Sequence, residues 1–194
     1  MSVVDTPPLD LDDIQGDILT GFPKRLETLV FFTINDNVDA FRVQLSQVVP
    51  FITTTTQATD TRKDIAEHKA NALAEGRDPK TIPAVGVAIA FSQFGITKLG
   101  IKDSIQDSSF ETGQRNIAED LGDKVDPNWL PAFKNEVHGV LVVAGDSEAT
   151  IESTLGDIQR ILGTGTDHAT IKEVHRVTGN VRPPPQKGHE HFGF

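Results

Sequence analysis

His138-Gly139-Val140-Leu141-Val142-Val143-Ala144, followed by Ser147, an amphipathic run to Leu162 and then Ile171-Lys172-Glu173-Val174-His175-Arg176-Val177, is the stretch that decides the fold. The first run is nearly all apolar and rich in β-branched residues, which suits a strand with a buried face. Ser147 stands where a helix N-cap belongs, and Ile151, Leu155, Ile158, Ile161 and Leu162 fall on one side of the helix it opens. Ile171–Val177 is again a strand.

The same order recurs on the N-terminal side. Leu26–Ile34 is β-branched and aromatic and reads as a buried strand. Asp36 or Asn37 caps a helix to about Val48, with Phe41, Val43, Leu45 and Val48 as candidate core positions and Pro50 as its stop. Val85–Phe91, a nearly continuous apolar run, is the next strand. The segments between are less regular. The Thr53–Thr56 run opens a polar segment, Asp60–Glu75 reads as a helix with a weak apolar stripe, and residues 76–83 form a loop. Ser92 caps a short helix to Leu99, with Gly100 as its stop. Residues 101–137 show no clear period and hold the only tryptophan, Trp129.

Strand, helix, strand, excursion, strand, helix, strand is the βαββαβ order of a ferredoxin-like unit. The expected fold is therefore α+β: a four-stranded antiparallel sheet with helices on one face and a helical and loop insertion at about 92–137, between the second and third strands. The division that follows is a Pro- and Asp-rich arm over residues 1–25, the ferredoxin-like domain over 26–178, and a linker over 179–194 towards a second ferredoxin-like domain.

Composition narrows the function. The 194 residues suit one domain, or one domain and a piece of another, and 37% hydrophobic with 24% charged residues is ordinary for a globular protein. A net charge of −10 argues against nucleic-acid partners. The absence of cysteine excludes thiolate metal sites, cysteine nucleophiles and disulfides. Residues 1–25 lack the basic-then-apolar pattern of a signal peptide, and no apolar run is long enough for a membrane span. The default expectation is an intracellular soluble protein without membrane partners; a mature secreted protein carrying a replacement Met would read alike.

Both ends carry a resemblance. Asp12-Asp13-Ile14-Gln15-Gly16-Asp17-Ile18-Leu19 and Gly188-His189-Glu190-His191-Phe192-Gly193-Phe194, with Gly86–Phe91, Phe94-Gly95-Ile96, Leu99-Gly100, His138–Gly145 and Val181-Arg182-Pro183 between them, resemble the dye-decolourising (DyP-type) haem peroxidases. That family carries a Gly-x-x-Asp-Gly motif whose Asp handles the peroxide proton. Gly193 and Phe194 match its first two positions, and the chain stops before the Asp. The resemblance implies two ferredoxin-like units in tandem, with the proximal His and distal Arg in the second. It implies haem as cofactor, and hydrogen peroxide with dyes, phenols and other aromatic small molecules as substrates. It places Phe192, Gly193 and Phe194 at the haem edge and carries no catalytic residue onto this chain; His68, His138, His168 and His175 match no family haem ligand. The expectation is a chain that does not bind haem stoichiometrically by itself and is not by itself a competent peroxidase, partnered by a complementing C-terminal half or by further copies of itself.

Two other readings stand beside this one. His189 and His191 lie two apart, so an extended segment points both imidazoles to one side, where a third ligand would complete a first-row transition-metal site for a non-haem oxidase. Against that, the pair also reads as a remnant of the linker. The chain also suits a stand-alone, haem-free ferredoxin-like module that self-associates through apolar surface next to residues 179–194. Among lesser features, His138 and Arg176 read as hydrogen-bonding residues at sheet ends, Trp129 as packing rather than an electron relay, and Arg182-Pro183-Pro184-Pro185 as a stiff spacer. Gly163-Thr164-Gly165-Thr166 lacks the Lys of a phosphate loop.

Overall fold

A computed structural model of the chain describes residues 8–123, 129–186 and 189. In chain order the elements are helix α1 (Gly16–Leu19), strand β1 (Leu26–Ile34), helices α2 (Val38–Val48) and α3 (Thr55–Ala74), strand β2 (Val85–Phe91), helices α4 (Gln93–Lys98) and α5 (Ser108–Thr112), strand β3 (Gly139–Gly145), helix α6 (Glu148–Ile161) and strand β4 (Ile171–Asn180). The four strands form one sheet in the order β2-β3-β1-β4, and every pairing is antiparallel. This is the ferredoxin-like arrangement.

Strand alternation sorts the core. Thr28, Val30, Phe32 and Ile34 of β1 are buried on one face, where Val30 pairs with Leu141. Phe41 and Val48 of α2 and Ile151, Leu155 and Ile158 of α6 pack onto that face in a single cluster. Each fully buried side chain of this kind contributes about 1.5–3 kcal/mol. The helix starts obey local chemistry: Asn37 Oδ1 accepts from Ala40 N–H at 3.1 Å, and Ser147 Oγ accepts from Thr150 N–H at 3.3 Å. Val43, expected in the core, is 60% exposed. It lies two residues from Phe41, about 200° round a helix of 3.6 residues per turn, and so points to solvent.

The polar segment after Pro50 differs from the expectation. Helix α3 starts at Thr55 rather than Asp60, because Thr54 and Gln57 form a capping box. The Thr54 hydroxyl accepts from Gln57 N–H at 3.3 Å, and the Gln57 carboxamide accepts from Thr54 N–H at 2.9 Å. A run of four threonines has low helix propensity and hides that signal. Ala58 of α3 packs with Phe22, Ala88 and Ala144 in a second, smaller core. Ala144 alternates with the buried Val143, so α3 and the N-terminal arm cover a corner of the sheet face opposite α2 and α6.

The arm is attached through the edge of the sheet. The Gln15 carboxamide donates to Ile89 O at 2.9 Å and accepts from Ile89 N–H at 2.8 Å. Thr53 does the same for Val87, its N–H donating to Val87 O at 2.9 Å and its hydroxyl accepting from Val87 N–H at 3.0 Å. Both residues therefore continue the ladder beyond edge strand β2, which leaves these groups paired rather than available to another chain. Gly16 donates to Thr53 O at 2.8 Å, and a Cβ there would lie 2.7 Å from Ala58 Cβ, so only glycine fits. The Asp12–Leu19 stretch is thus an architectural clasp. Gln15→Ala removes both bonds to Ile89 and is expected to destabilise the fold by about 2 kcal/mol, with faster hydrogen exchange at the Ile89 amide. Unchanged exchange at Ile89 in the variant would show that the clasp does not hold the edge.

Candidate functional site: the open sheet face and its aromatic groove

The sheet face opposite α2 and α6 is covered by α3 and the arm at the β2 side and by Phe133 at one end. Along β1 the alternation that buries Val30 and Phe32 turns Leu29 and Phe31 to this open face. Val140 and Val142 of β3 stand opposite Phe31 and Leu29 in register. On the other side of β1, His175 and Val177 of β4 face the same two residues, and Val177 is 46% exposed. Strand β4 carries a bulge at this point: Phe31 pairs with His175 while Phe32 pairs with Glu173. The extra residue re-aims the side chains of an edge strand. Gly179 and Asn180 still pair with Glu27 and Leu26, so the strand runs to Asn180 and the apolar face adjoins the segment that follows.

An aromatic cluster closes one end of the face. The Phe31 and Phe133 rings meet edge-to-face with centroids 5.0 Å apart, and His175 packs on Phe133 at 5.5 Å. Phe133 is delivered by a short 3-10 turn, Pro131–Lys134, in the excursion between β2 and β3. Beside it lies a groove of about 520 Å³ lined by Phe31, Phe94, Trp129, Leu130, Phe133 and Val137. Phe94 and Leu130 are 42% and 56% exposed. Sequence reading left residues 101–137 without a role; the Phe31-Phe32 doublet was the available signal, because in a strand one of two adjacent phenylalanines must face away from the core.

The polar residues singled out in the sequence prove structural. His138 is buried; its Nδ1 accepts from Ile34 N–H at 2.8 Å, and its Nε2 lies 3.6 Å from a Glu136 carboxylate oxygen. The bond from Ile34 makes Nδ1 the unprotonated nitrogen. Arg176 forks onto Glu173 at 3.1 and 2.9 Å and lies 3.6 Å from Glu152 of α6. The hydrogen-bonded Glu173 carboxylate raises the guanidinium pKa, partial burial opposes it, and the charges of Glu173 and Glu152 add to the rise. His138 stands at the start of β3 as expected, whereas Arg176, expected at a sheet end, lies mid-strand opposite Val30, because β4 runs on to Asn180. Trp129 lines the groove and donates from Nε1 to Asp123 at 3.0 Å.

Of the residues expected at a haem edge or metal, His189 is exposed, and its N–H donates to Gln186 O at 3.0 Å. His191, Phe192, Gly193 and Phe194 lie outside the described residues. Among the described residues no three His, Asp or Glu side chains gather as a metal site. None of the described residues lining the groove is of a haem-ligating type, so the groove by itself does not fit an axial ligand. No described helix is long and apolar enough to cross a membrane.

Residues 13–183 match the family model of the DyP dimeric alpha+beta barrel domain. The chain belongs to the dye-decolourising peroxidase family. It is 38% identical over 188 residues to a dye-decolorizing peroxidase of Mycena epipterygia, covering 96% of this chain and 31% of that protein. To peroxidase 2 of Mycetinis scorodonius it is 40% identical over 189 residues, 96% of this chain and 32% of that protein. The chain thus spans about a third of the length of these curated relatives and corresponds to the N-terminal portion of a DyP-type peroxidase. Among solved structures, an ancestral D-type dye decolorizing peroxidase superposes with a TM-score of 0.86 at 48% identity, covering 97% of this chain and 38% of that one. A mutant of the dye-decolorizing peroxidase from Pleurotus ostreatus gives 0.86 at 43% identity, covering 97% and 39%. DyP peroxidases are haem enzymes. The relationship does not favour the stand-alone module or the non-haem metal oxidase.

Proposed function

We propose that this chain is the N-terminal ferredoxin-like unit of a haem peroxidase that oxidises dyes, phenols and other aromatic molecules with hydrogen peroxide. The observation that carries the proposal is the part-exposed apolar face of Leu29, Phe31, Val140 and Val177 on a chain that matches the family over residues 13–183. Such a face is stabilised by covering it, at about 25 cal/mol per Å² removed from water. A second ferredoxin-like unit is its natural cover, and β4 ends at Asn180 beside the face. When bound, haem would supply the iron that takes oxidising equivalents from the peroxide. Its axial ligand would come from the second unit, and Phe192, Gly193 and Phe194 are the residues of this chain proposed for its edge.

Titration of the chain with hemin, followed by its absorbance band and by dye oxidation, tests this reading. Alone, the chain is expected to bind no stoichiometric haem and to turn over at the rate of free hemin. Joined with a fragment that supplies the second unit, it is expected to bind one haem and reach roughly 1–10³ s⁻¹. Tight binding of one haem and enzymatic turnover by the chain alone would overturn the division of labour, and failure of the joined pair to bind haem would overturn the proposal.

A further inference from the structure

A pocket of about 370 Å³ opens at the end of the sheet where β2 begins and β3 ends, away from the aromatic groove. Four separate segments build it. Lys24 and Arg25 precede β1, His68 and Lys69 come from α3, Lys80 from the loop before β2, and Asp146 follows β3. The chain as a whole is acidic, with 28 Asp and Glu against 18 Lys and Arg, yet this pocket gathers four of those cations around one carboxylate. The local sign is therefore opposite to that of the molecule.

The cations are also short of partners. Lys24 is ion-paired with Glu27. Among the described residues no carboxylate pairs with Arg25, Lys69 or Lys80, whereas Arg42, Arg77, Lys98, Arg160 and Arg176 each have one. Asp146 spends one oxygen on structure, accepting from Ala84 N–H at 3.1 Å and from the Thr150 hydroxyl at 3.0 Å. His68 lines the same pocket.

We propose that this pocket binds a small tetrahedral oxyanion carrying two negative charges, of the phosphate type, either free or as a monoester. Three cations without a carboxylate partner around one cavity match the charge and the several acceptor oxygens of such a group. The volume lies near the low end of the roughly 300–1,000 Å³ typical of small-molecule sites, which leaves room for a phosphate and a small organic substituent. The site needs neither haem nor the open sheet face, so it stands independently of the peroxidase reading.

The test is a titration of the full chain with inorganic phosphate, and separately with phenyl phosphate, against sodium chloride at matched ionic strength, followed by amide NMR shifts. Saturable one-to-one binding is expected, with shifts confined to residues 23–25, 65–69, 79–84 and 146. Lys69→Ala with Lys80→Ala is expected to weaken binding at least tenfold. Asp146→Asn, which keeps the acceptor for Ala84 and removes the opposing charge, is expected to tighten it several-fold, a change that a merely damaged fold would not produce. Equal affinity for the two probes would identify the phosphate group itself as the ligand, and tighter phenyl phosphate a monoester. Non-saturating shifts spread equally over distant cations such as Lys98 and Arg115, or unchanged binding in the double Lys variant, would overturn the proposal.

Discussion

Gly95→Ala is expected to destabilise the fold by about 3 kcal/mol, the upper end of the usual range for forcing an extra methyl group into a packed site. Gly95 sits inside α4, and an ideal Cβ there would lie 1.9 Å from His138 O. That oxygen cannot retreat. It accepts from Ser92 N–H at 3.1 Å, while His138 N–H donates to Phe32 O at 2.9 Å, so His138 is held on both sides, by Ser92 and by β1. Ser92 also caps α4 by accepting from Gly95 N–H at 3.2 Å. The sign is the discriminating feature: in an exposed helix interior, glycine to alanine stabilises by up to about 1 kcal/mol. Urea unfolding of the variant measures it, and a stabilised variant would show that α4 does not approach β3 as described. Because whole domains are stable by only about 5–15 kcal/mol, the variant is expected to accumulate poorly.

Phe41→Ala is expected to cost about 3–5 kcal/mol through the cavity it leaves. Phe41 is fully buried, and its ring lies 6.3 Å from that of Phe32 and 6.4 Å from that of Phe91, which are themselves 6.2 Å apart. The three rings join α2 to β1 and β2 at the middle of the larger core, so the space cannot close without moving a helix. Phe41→Leu is expected to lose less, about 1–2 kcal/mol, because most of the volume is kept. Equal losses for the two variants, measured by urea unfolding, would show that ring packing rather than volume holds the site.

Much of the fold was legible because strands and capped helices write themselves locally. Leu26–Ile34 and Val85–Phe91 are strands at the expected residues, and Ser92, Asn37 and Ser147 cap the helices they were expected to cap. Helix α3 was read late because its first turn depends on a reciprocal box between Thr54 and Gln57 rather than on apolar spacing. The site was less legible. The end motifs pointed to the family, but the Asp12–Leu19 motif carries structure, with Gln15 bonding to Ile89 across 74 residues of chain.

The residue pattern by itself determined the succession of elements, the helix caps and the inward or outward sense of each strand residue, since these depend on neighbours within a turn or a pleat. Tertiary structure alone decided that α3 and the arm cover one corner of the far face and leave Leu29, Val140 and Val177 part-exposed. It also decided that Phe133 would reach Phe31, that His138 would lock Gly95, and that Lys24, Arg25, His68, Lys69 and Lys80 would share one pocket. Each of these joins segments distant in sequence, and the periodicity of one segment carries no information about which other segment the fold will bring against it.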